Sequence, residues 1–232
     1  MFVGREAELA KLESLYEQRS FQMAVVYGRR RVGKTTLINE FCRGKRTLLA
    51  DFNRAIASFF NLPASLGGFS SWTDALSFIA DRARAERFVF VFDEFPYAAM
   101  RNEALSSIFQ VAIDRAFKET SAFLILCGSN QGFMESSVLG RKSPLFGRRT
   151  AQIKVHDLGF KDAAKMLPGL SAQDAFKFYG CFGGVPYYLQ QLDSSVGLKE
   201  NLARLYFDPM GFLYGEPEGL IRQEFQEPAI YN

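Results

Sequence analysis

The chain has 232 residues, 48% hydrophobic and 23% charged, which suffices for one large core plus a small satellite domain. No run is apolar for long enough to span a membrane, and Met1-Phe2-Val3-Gly4-Arg5-Glu6 lacks the basic start and apolar stretch of a secretory signal. A net charge of +3 falls short of the basic footprint of a dedicated nucleic-acid-binding domain. Three scattered cysteines without a C-x-x-C pair suggest reduced thiols in a cytoplasm, and one histidine, His156, gives little basis for a His-centred triad or metal cluster.

Leu9, Leu12, Leu15 and Tyr16 recur at helical spacing, so residues 6–17 read as an amphipathic helix. The apolar run Met23 to Tyr27 reads as the first strand, and Thr36 to Phe41 as a helix. Between them stands Gly28-Arg29-Arg30-Arg31-Val32-Gly33-Lys34-Thr35, a complete G-x-x-x-x-G-K-[ST] loop. Strand, loop and helix in that order aim backbone N–H groups and the positive end of a helix at phosphates. Residues 28–33 and Thr36 form the cradle, Lys34 reaches the β- and γ-phosphates, and the Thr35 hydroxyl ligates Mg²⁺. The three arginines occupy the loop's variable positions. The simplest reading is a solvated tip; the alternative is a field that draws an anionic nucleotide or a partner.

Arg46 to Ala50 reads as a second strand, Asp51 to Phe60 as a helix, Pro63 to Ser71 as loop and Thr73 to Ala85 as a further helix. Phe88 to Phe92 is apolar at every position, as in a strand buried on both faces of a parallel sheet. Asp93-Glu94 follows directly, where open α/β sheets gather ligands at the carboxyl ends of their strands. Asp93 suits the Mg²⁺ anchor and Glu94 the base that polarises the attacking water. Pro96 then breaks the chain, Asn102 to Lys118 reads as helix and Phe123 to Cys127 as another buried strand. Gly128-Ser129-Asn130 at its end offers Ser129 to the γ-phosphate or to the water. Gly147-Arg148-Arg149-Thr150 precedes a last strand, Ala151 to Val155, and either arginine is a candidate for offsetting charge in phosphoryl transfer, in cis or from a neighbouring subunit. Arg141 and Lys142 are their rivals. Strands alternating with helices imply a parallel, helix-covered α/β sheet.

Phe2-Val3-Gly4-Arg5-Glu6, the phosphate loop, Asp93-Glu94-Phe95-Pro96-Tyr97, Leu126-Cys127-Gly128-Ser129, Ser143 to Thr150 and Gly183-Gly184-Val185-Pro186-Tyr187-Tyr188-Leu189 together resemble the archaeal-type ATPases of the STAND group, within the AAA+-related P-loop ATPases. The resemblance implies ATP as ligand, a P-loop NTPase core over residues 1–157 with strand order 5-1-4-3-2, and a small all-helical lid domain over residues 158–232. It implies that Val3, Gly4 and Arg5 contact the adenine and ribose side, and that Pro186 packs on the base. Such ATPases usually carry a longer segment between the strand near Leu49 and the helix containing Phe59, where here Ala50 runs straight into Asp51, and they usually continue past the position of Asn232 into a winged-helix module and often a nuclease-like domain. The expected activity is a cytoplasmic, Mg²⁺-dependent ATP hydrolase that cycles between ATP and ADP as a conformational switch. A homo-oligomer formed through Arg148 or Arg149 is an accompanying expectation. A nucleotide-binding scaffold with negligible turnover and an oligomeric motor on nucleic acid are the alternatives. The guanine-reading Asn-Lys-x-Asp motif and the transporter stretch Leu-Ser-Gly-Gly-Gln are not found.

Overall fold

Five parallel strands form one sheet in a computed structural model that describes residues 2–49, 56, 59, 60 and 69–224. They are β1 (Gln22–Tyr27), β2 (Thr47–Leu49), β3 (Val89–Phe92), β4 (Phe123–Gly128) and β5 (Ala151–Lys154), and their order across the sheet is β2-β3-β4-β1-β5. That is the expected order, read from the other edge. The helix expected over Asp51 to Phe60 and most of the loop from Pro63 to Ser71 lie outside the described residues.

β1, β3 and β4 are buried at every position because helices cover both faces of the sheet. Alternate residues face opposite ways. Met23, Val25, Phe90, Phe92, Leu124 and Leu126 pack on one side, joined by Phe95, Leu105, Phe109 and the apolar stripe of the helix Trp72–Ala85. Ala24, Val26, Val89, Val91, Phe123 and Ile125 pack on the other, against Leu12 and Leu15 of α1 (Glu6–Glu17) and Leu37, Ile38 and Phe41 of α2 (Lys34–Cys42). The edges are irregular where turns compete with pairing. The helix read from Asn102 to Lys118 is shorter, Leu105–Arg115, and ends in a 3₁₀ turn at Phe117–Glu119. A helix Phe95–Arg101 stands where the sequence suggested a chain break at Pro96. Proline belongs naturally in a first helical turn, where its missing N–H has no partner to lose.

Beyond β5 the chain is helical. Phe160–Lys165, Ala172–Phe182, Pro186–Leu189, Leu198–Leu202 and Glu216–Glu224 surround an apolar cluster of their own, including Leu167, Phe178, Phe182, Leu205 and Leu213. Ser171 caps the helix Ala172–Phe182 by accepting from Asp174 N at 3.1 Å. A smaller cluster, Leu158, Ala163 and Leu189 with Val3 packed on it, joins this part to the N-terminal residues. Among the described residues no helix is long and apolar enough to cross a membrane.

The junction closes on Gly184, whose carbonyl accepts from Leu158 N at 2.8 Å. A β-carbon at Gly184 would lie 1.9 Å from the Leu158 carbonyl oxygen, so any side chain forces the two backbones apart. Gly184→Ala should therefore destabilise the protein by about 1–3 kcal/mol, the usual cost of overpacking. Urea unfolding checks this, and a midpoint equal to wild type would show that the junction yields freely.

Candidate functional site

Met23 to Tyr27 leaves the sheet directly into the phosphate loop, and Gly28 is needed at that exit. Its φ is 152°, and an added β-carbon would lie 2.3 Å from the Val155 carbonyl oxygen. Only glycine lets the loop leave β1 this close to the end of β5. Lys34 then opens α2 and is itself buried, at 7% exposure. Its ammonium donates to the carbonyls of Gly28 at 2.9 Å and Arg29 at 2.8 Å, which leaves one of three N–H donors for a phosphate oxygen. Burial pulls its pKa below the ordinary lysine value, and the nearby Cys127, Glu94 and Asp93 work in the opposite direction. The surroundings are thus poor in water and rich in negative partners, an arrangement that makes the lysine's charge count.

β3 and β4 deliver the acidic side. Asp93 Oδ1 accepts from Glu94 N at 2.9 Å. Glu94 sits at φ 49°, a left-handed conformation that costs a non-glycine residue about 1–3 kcal/mol and clusters at functional sites. Its carboxylate is gripped by Ser129, whose hydroxyl lies 2.9 Å from each of its oxygens and whose N–H donates to Oε2 at 3.3 Å. Ser129 is buried just past the end of β4, so the grip fixes the Glu94 carboxylate as one unit with the sheet. Behind these groups, burial and then the Asp93 charge raise the Cys127 thiol far above its ordinary pKa, keeping it neutral. Asn130 serves as a helix cap, accepting from Phe133 N at 2.9 Å.

A cleft of about 360 Å³ brings Arg30, Arg31, Gly33, Lys34, Thr35, Thr36, Asp93, Glu94 and Ser129 together with Pro186 of the helical part. Tyr97, Tyr187 and Gln190 also line it, and sequence reasoning assigned them no role. The spacing held the signal: Tyr97 lies three residues after Glu94, and Gln190 one turn after Pro186, so each shares a helical face with a singled-out residue. A second hollow, on the other side of Gly33, is lined by Val3, Arg5, Thr36, Leu158, Pro186 and Gln190 among others.

Arg5 donates to the carbonyls of Val32, at 2.9 Å, and His156, at 2.5 Å, so its guanidinium clamps the loop to the chain after β5, and Arg5 also lines the second hollow. Three expectations need correction. Arg29 faces a separate hollow beside Tyr188, Tyr206 and Glu216, away from the phosphate cleft. Arg31 is no solvated tip. At φ 69° it turns toward the helical part, where it pairs with Glu216 and lies 5.3 Å and 4.7 Å from the ring centroids of Tyr187 and Phe212. Arg148 and Arg149 do not line the cleft. Thr150 beside them exchanges hydrogen bonds with Met23, at the start of β1, whereas the phosphate loop leaves its end. Five residue steps, Met23 to Gly28, separate the two levels, about 17 Å at 3.3–3.4 Å per residue. Arg148 pairs there with Asp114, and Arg149 donates to the Leu139 carbonyl at 3.4 Å. Neither can act in cis; either would have to act on a neighbouring subunit.

This arrangement can be compared with known proteins. A family model described as an ATPase domain predominantly from Archaea matches residues 2–50 and 43–192. The chain belongs to that family. An uncharacterized protein of Methanocaldococcus jannaschii is 31% identical over 242 aligned residues, which take in 100% of this chain and 52% of that protein. An uncharacterized ATP-binding protein of the same organism is 46% identical over 46 residues, 20% of this chain and 78% of its own length. The chain thus spans about half the length of its full-length relative. Among solved structures, a Walker-type ATPase of Pyrococcus abyssi superposes with a TM-score of 0.63 at 19% identity, over 96% of this chain and 76% of that one. The ORC2 protein of Aeropyrum pernix, solved as ADPNP–ADP complexes, gives 0.61 at 12% identity, over 98% and 68%. At these identities the likeness is one of fold.

Lys34→Ala should abolish measurable nucleotide binding, because no other lysine lines the cleft among the described residues. Titration with a fluorescent ATP analogue tests this, and wild-type affinity in the variant would reduce the loop to a structural turn.

Proposed function

We propose that this domain binds and hydrolyses ATP with Mg²⁺ and works as a nucleotide-driven switch of the STAND type, its core spanning residues 1–157 and its lid residues 158–232. The observation that carries the reading is Arg31, a phosphate-loop residue whose side chain is held by the lid. The hollow between Val3 and Pro186, about 30 Å³, must widen to admit the base, and the triphosphate lies along the loop toward Glu94. Thr35 and Asp93 are both exposed at the cleft and present a hydroxyl and a carboxylate, the hard oxygen donors that suit Mg²⁺ when phosphates and water complete its shell. The cation, when bound, supplies charge neutralisation on the phosphates.

Glu94 takes the hydrolytic proton. As water oxygen bonds to the γ-phosphorus, the bond to the β–γ bridging oxygen breaks, its electron pair stays on ADP, and the proton from water passes to the Glu94 carboxylate. Ser129 keeps that carboxylate aimed. Lys34 and the loop N–H groups hold the phosphates in line.

The lid is coupled to the loop by a three-part contact. Glu216, in the first turn of the helix Glu216–Glu224, pairs with Arg31 and accepts from Tyr188 Oη at 2.8 Å. Burial, followed by the Glu216 hydrogen bond, pushes the Tyr188 pKa up to about 12, so it remains a donor across the physiological range. A phosphate near Arg31 competes with Glu216 for the same guanidinium, and that competition lets nucleotide state reposition the helix.

Glu94→Gln should retain ATP and Mg²⁺ binding while slowing hydrolysis at least about 100-fold, the scale of a lost general base. Steady-state phosphate release measures it; equal turnover in the two proteins would leave a nucleotide-binding scaffold. The wild-type protein should show an ATP-dependent change in amide exchange over residues 216–224, and Glu216→Gln should keep ATP affinity but erase that change. Unaltered exchange behaviour in the variant would remove Arg31–Glu216 from the switch.

A further inference from the structure

The cleft contains three cations among its described lining residues, and each is held differently. Lys34 is tied to its own loop at the base of the site. Arg31 is committed to the lid, paired with Glu216 between two aromatic rings. The lid itself lends Pro186, Tyr187 and Gln190 to the cleft, none of them charged. Arg148 and Arg149 stand at the opposite end of β1. Arg30 is left, and its position is specific. Its guanidinium reaches across the cleft mouth to the hydroxyl of Tyr97, with the carbon at its centre 5.7 Å from the ring centroid. Tyr97 sits on the helix that Glu94 begins, and Tyr97 N donates to the Glu94 carbonyl at 3.1 Å. Arg30 is therefore on the side of the site where water and γ-phosphorus meet.

We infer that Arg30 is an arginine finger supplied in cis by the phosphate loop, which leaves Tyr97 to neutralise the charge that develops on the transferring γ-phosphoryl group. The assignment rests on the ATPase reading given above. A neutral, exposed phenol is a weak partner for a guanidinium, and three anionic phosphoryl oxygens are a much stronger one. Arg30 therefore gains its best contact only when a γ-phosphate or its transition state occupies the cleft, the condition for raising kcat instead of merely tightening binding. Arg30 also lies near enough to Lys34 for the two charges to repel. A γ-phosphoryl group placed between them relieves that repulsion. Tyr97 acts as the resting holder, 44% exposed and without a charge to lose.

The test compares wild type with Arg30→Ala and Arg30→Lys. Arg30→Ala should lower kcat by roughly 10³-fold, the lower end for a lost arginine finger, with KM for ATP changed by less than about threefold, the pattern of a contact made only in the transition state. Arg30→Lys should recover part of kcat, and wild-type specific activity should not change with protein concentration. Binding gives a readout separate from turnover. Fluorescent ADP should bind the three proteins alike, and adding aluminium fluoride, which mimics the transferring phosphoryl group, should tighten it in wild type and not in Arg30→Ala. Equal tightening in both, no tightening in wild type, or a kcat loss in Arg30→Ala below about threefold overturns the assignment. So does activity that rises with protein concentration and loses that rise in Arg148→Ala, which moves the finger to a neighbouring subunit. Wild type that fails to bind ADP removes the ATPase reading itself.

Discussion

β1 is hydrogen-bonded to β4 along one edge and to β5 along the other, from Ala24 to Tyr27 on both sides. This double pairing ends three chains at nearly one level. Gly28 opens the phosphate loop, Ser129 follows Gly128, and Val155 leads to the His156 carbonyl that Arg5 holds. Because β1 and β4 are buried throughout and β5 is buried at Ala151 and Ile153, none can slide by a residue without turning its apolar side chains the wrong way. The site inherits that rigidity. The loop after β1 leads to Lys34 at the start of α2, Ser129 after β4 holds the Glu94 carboxylate, and Leu158 just past β5 begins the junction with the helical part. The φ of 49° at Glu94 survives because this frame over-determines it.

The three consecutive arginines show how one short loop divides its charge. Arg29 is beside the outer lid hollow, Arg30 reaches the helix after β3, and Arg31 is half-buried in the loop–lid contact. Arg31 takes a positive φ of 69°. Such a conformation in a non-glycine residue is repaid by a salt bridge and two aromatic faces. The contact with the helical part is thus made by a residue of the loop itself.

Much of this was legible in the sequence for concrete reasons. Phe88 to Phe92 and Phe123 to Cys127 could only be central strands, and the glycines and Lys34-Thr35 between strand and helix named the phosphate site. The acidic pair after β3 and the serine after β4 follow from where parallel strands end. The resemblance to archaeal-type ATPases supplied the strand order. What stayed hidden depends on side-chain direction. No periodicity tells that Arg31 is left-handed, that Arg5 spends its donors on two carbonyls, or that Thr150 lies at the start of β1. The helix at Phe95–Arg101 was missed because proline was taken as a breaker where it serves as a first-turn residue.

Cys127 gives the site an internal clock. Its sulfur is fully buried in β4, beneath Asp93 and Lys34, whereas Cys181 is exposed and Cys42 lies between these extremes. A thiol-reactive dye can reach Cys127 only when the central strands part. The rate of that single modification, set against the immediate labelling of Cys181, therefore reports how often the floor of the phosphate site opens. Ligands that close the cleft slow it in proportion to how strongly they favour the closed sheet. The same burial shields the thiol from oxidation, so the residue can sit against the phosphate machinery without exposing it to redox chemistry.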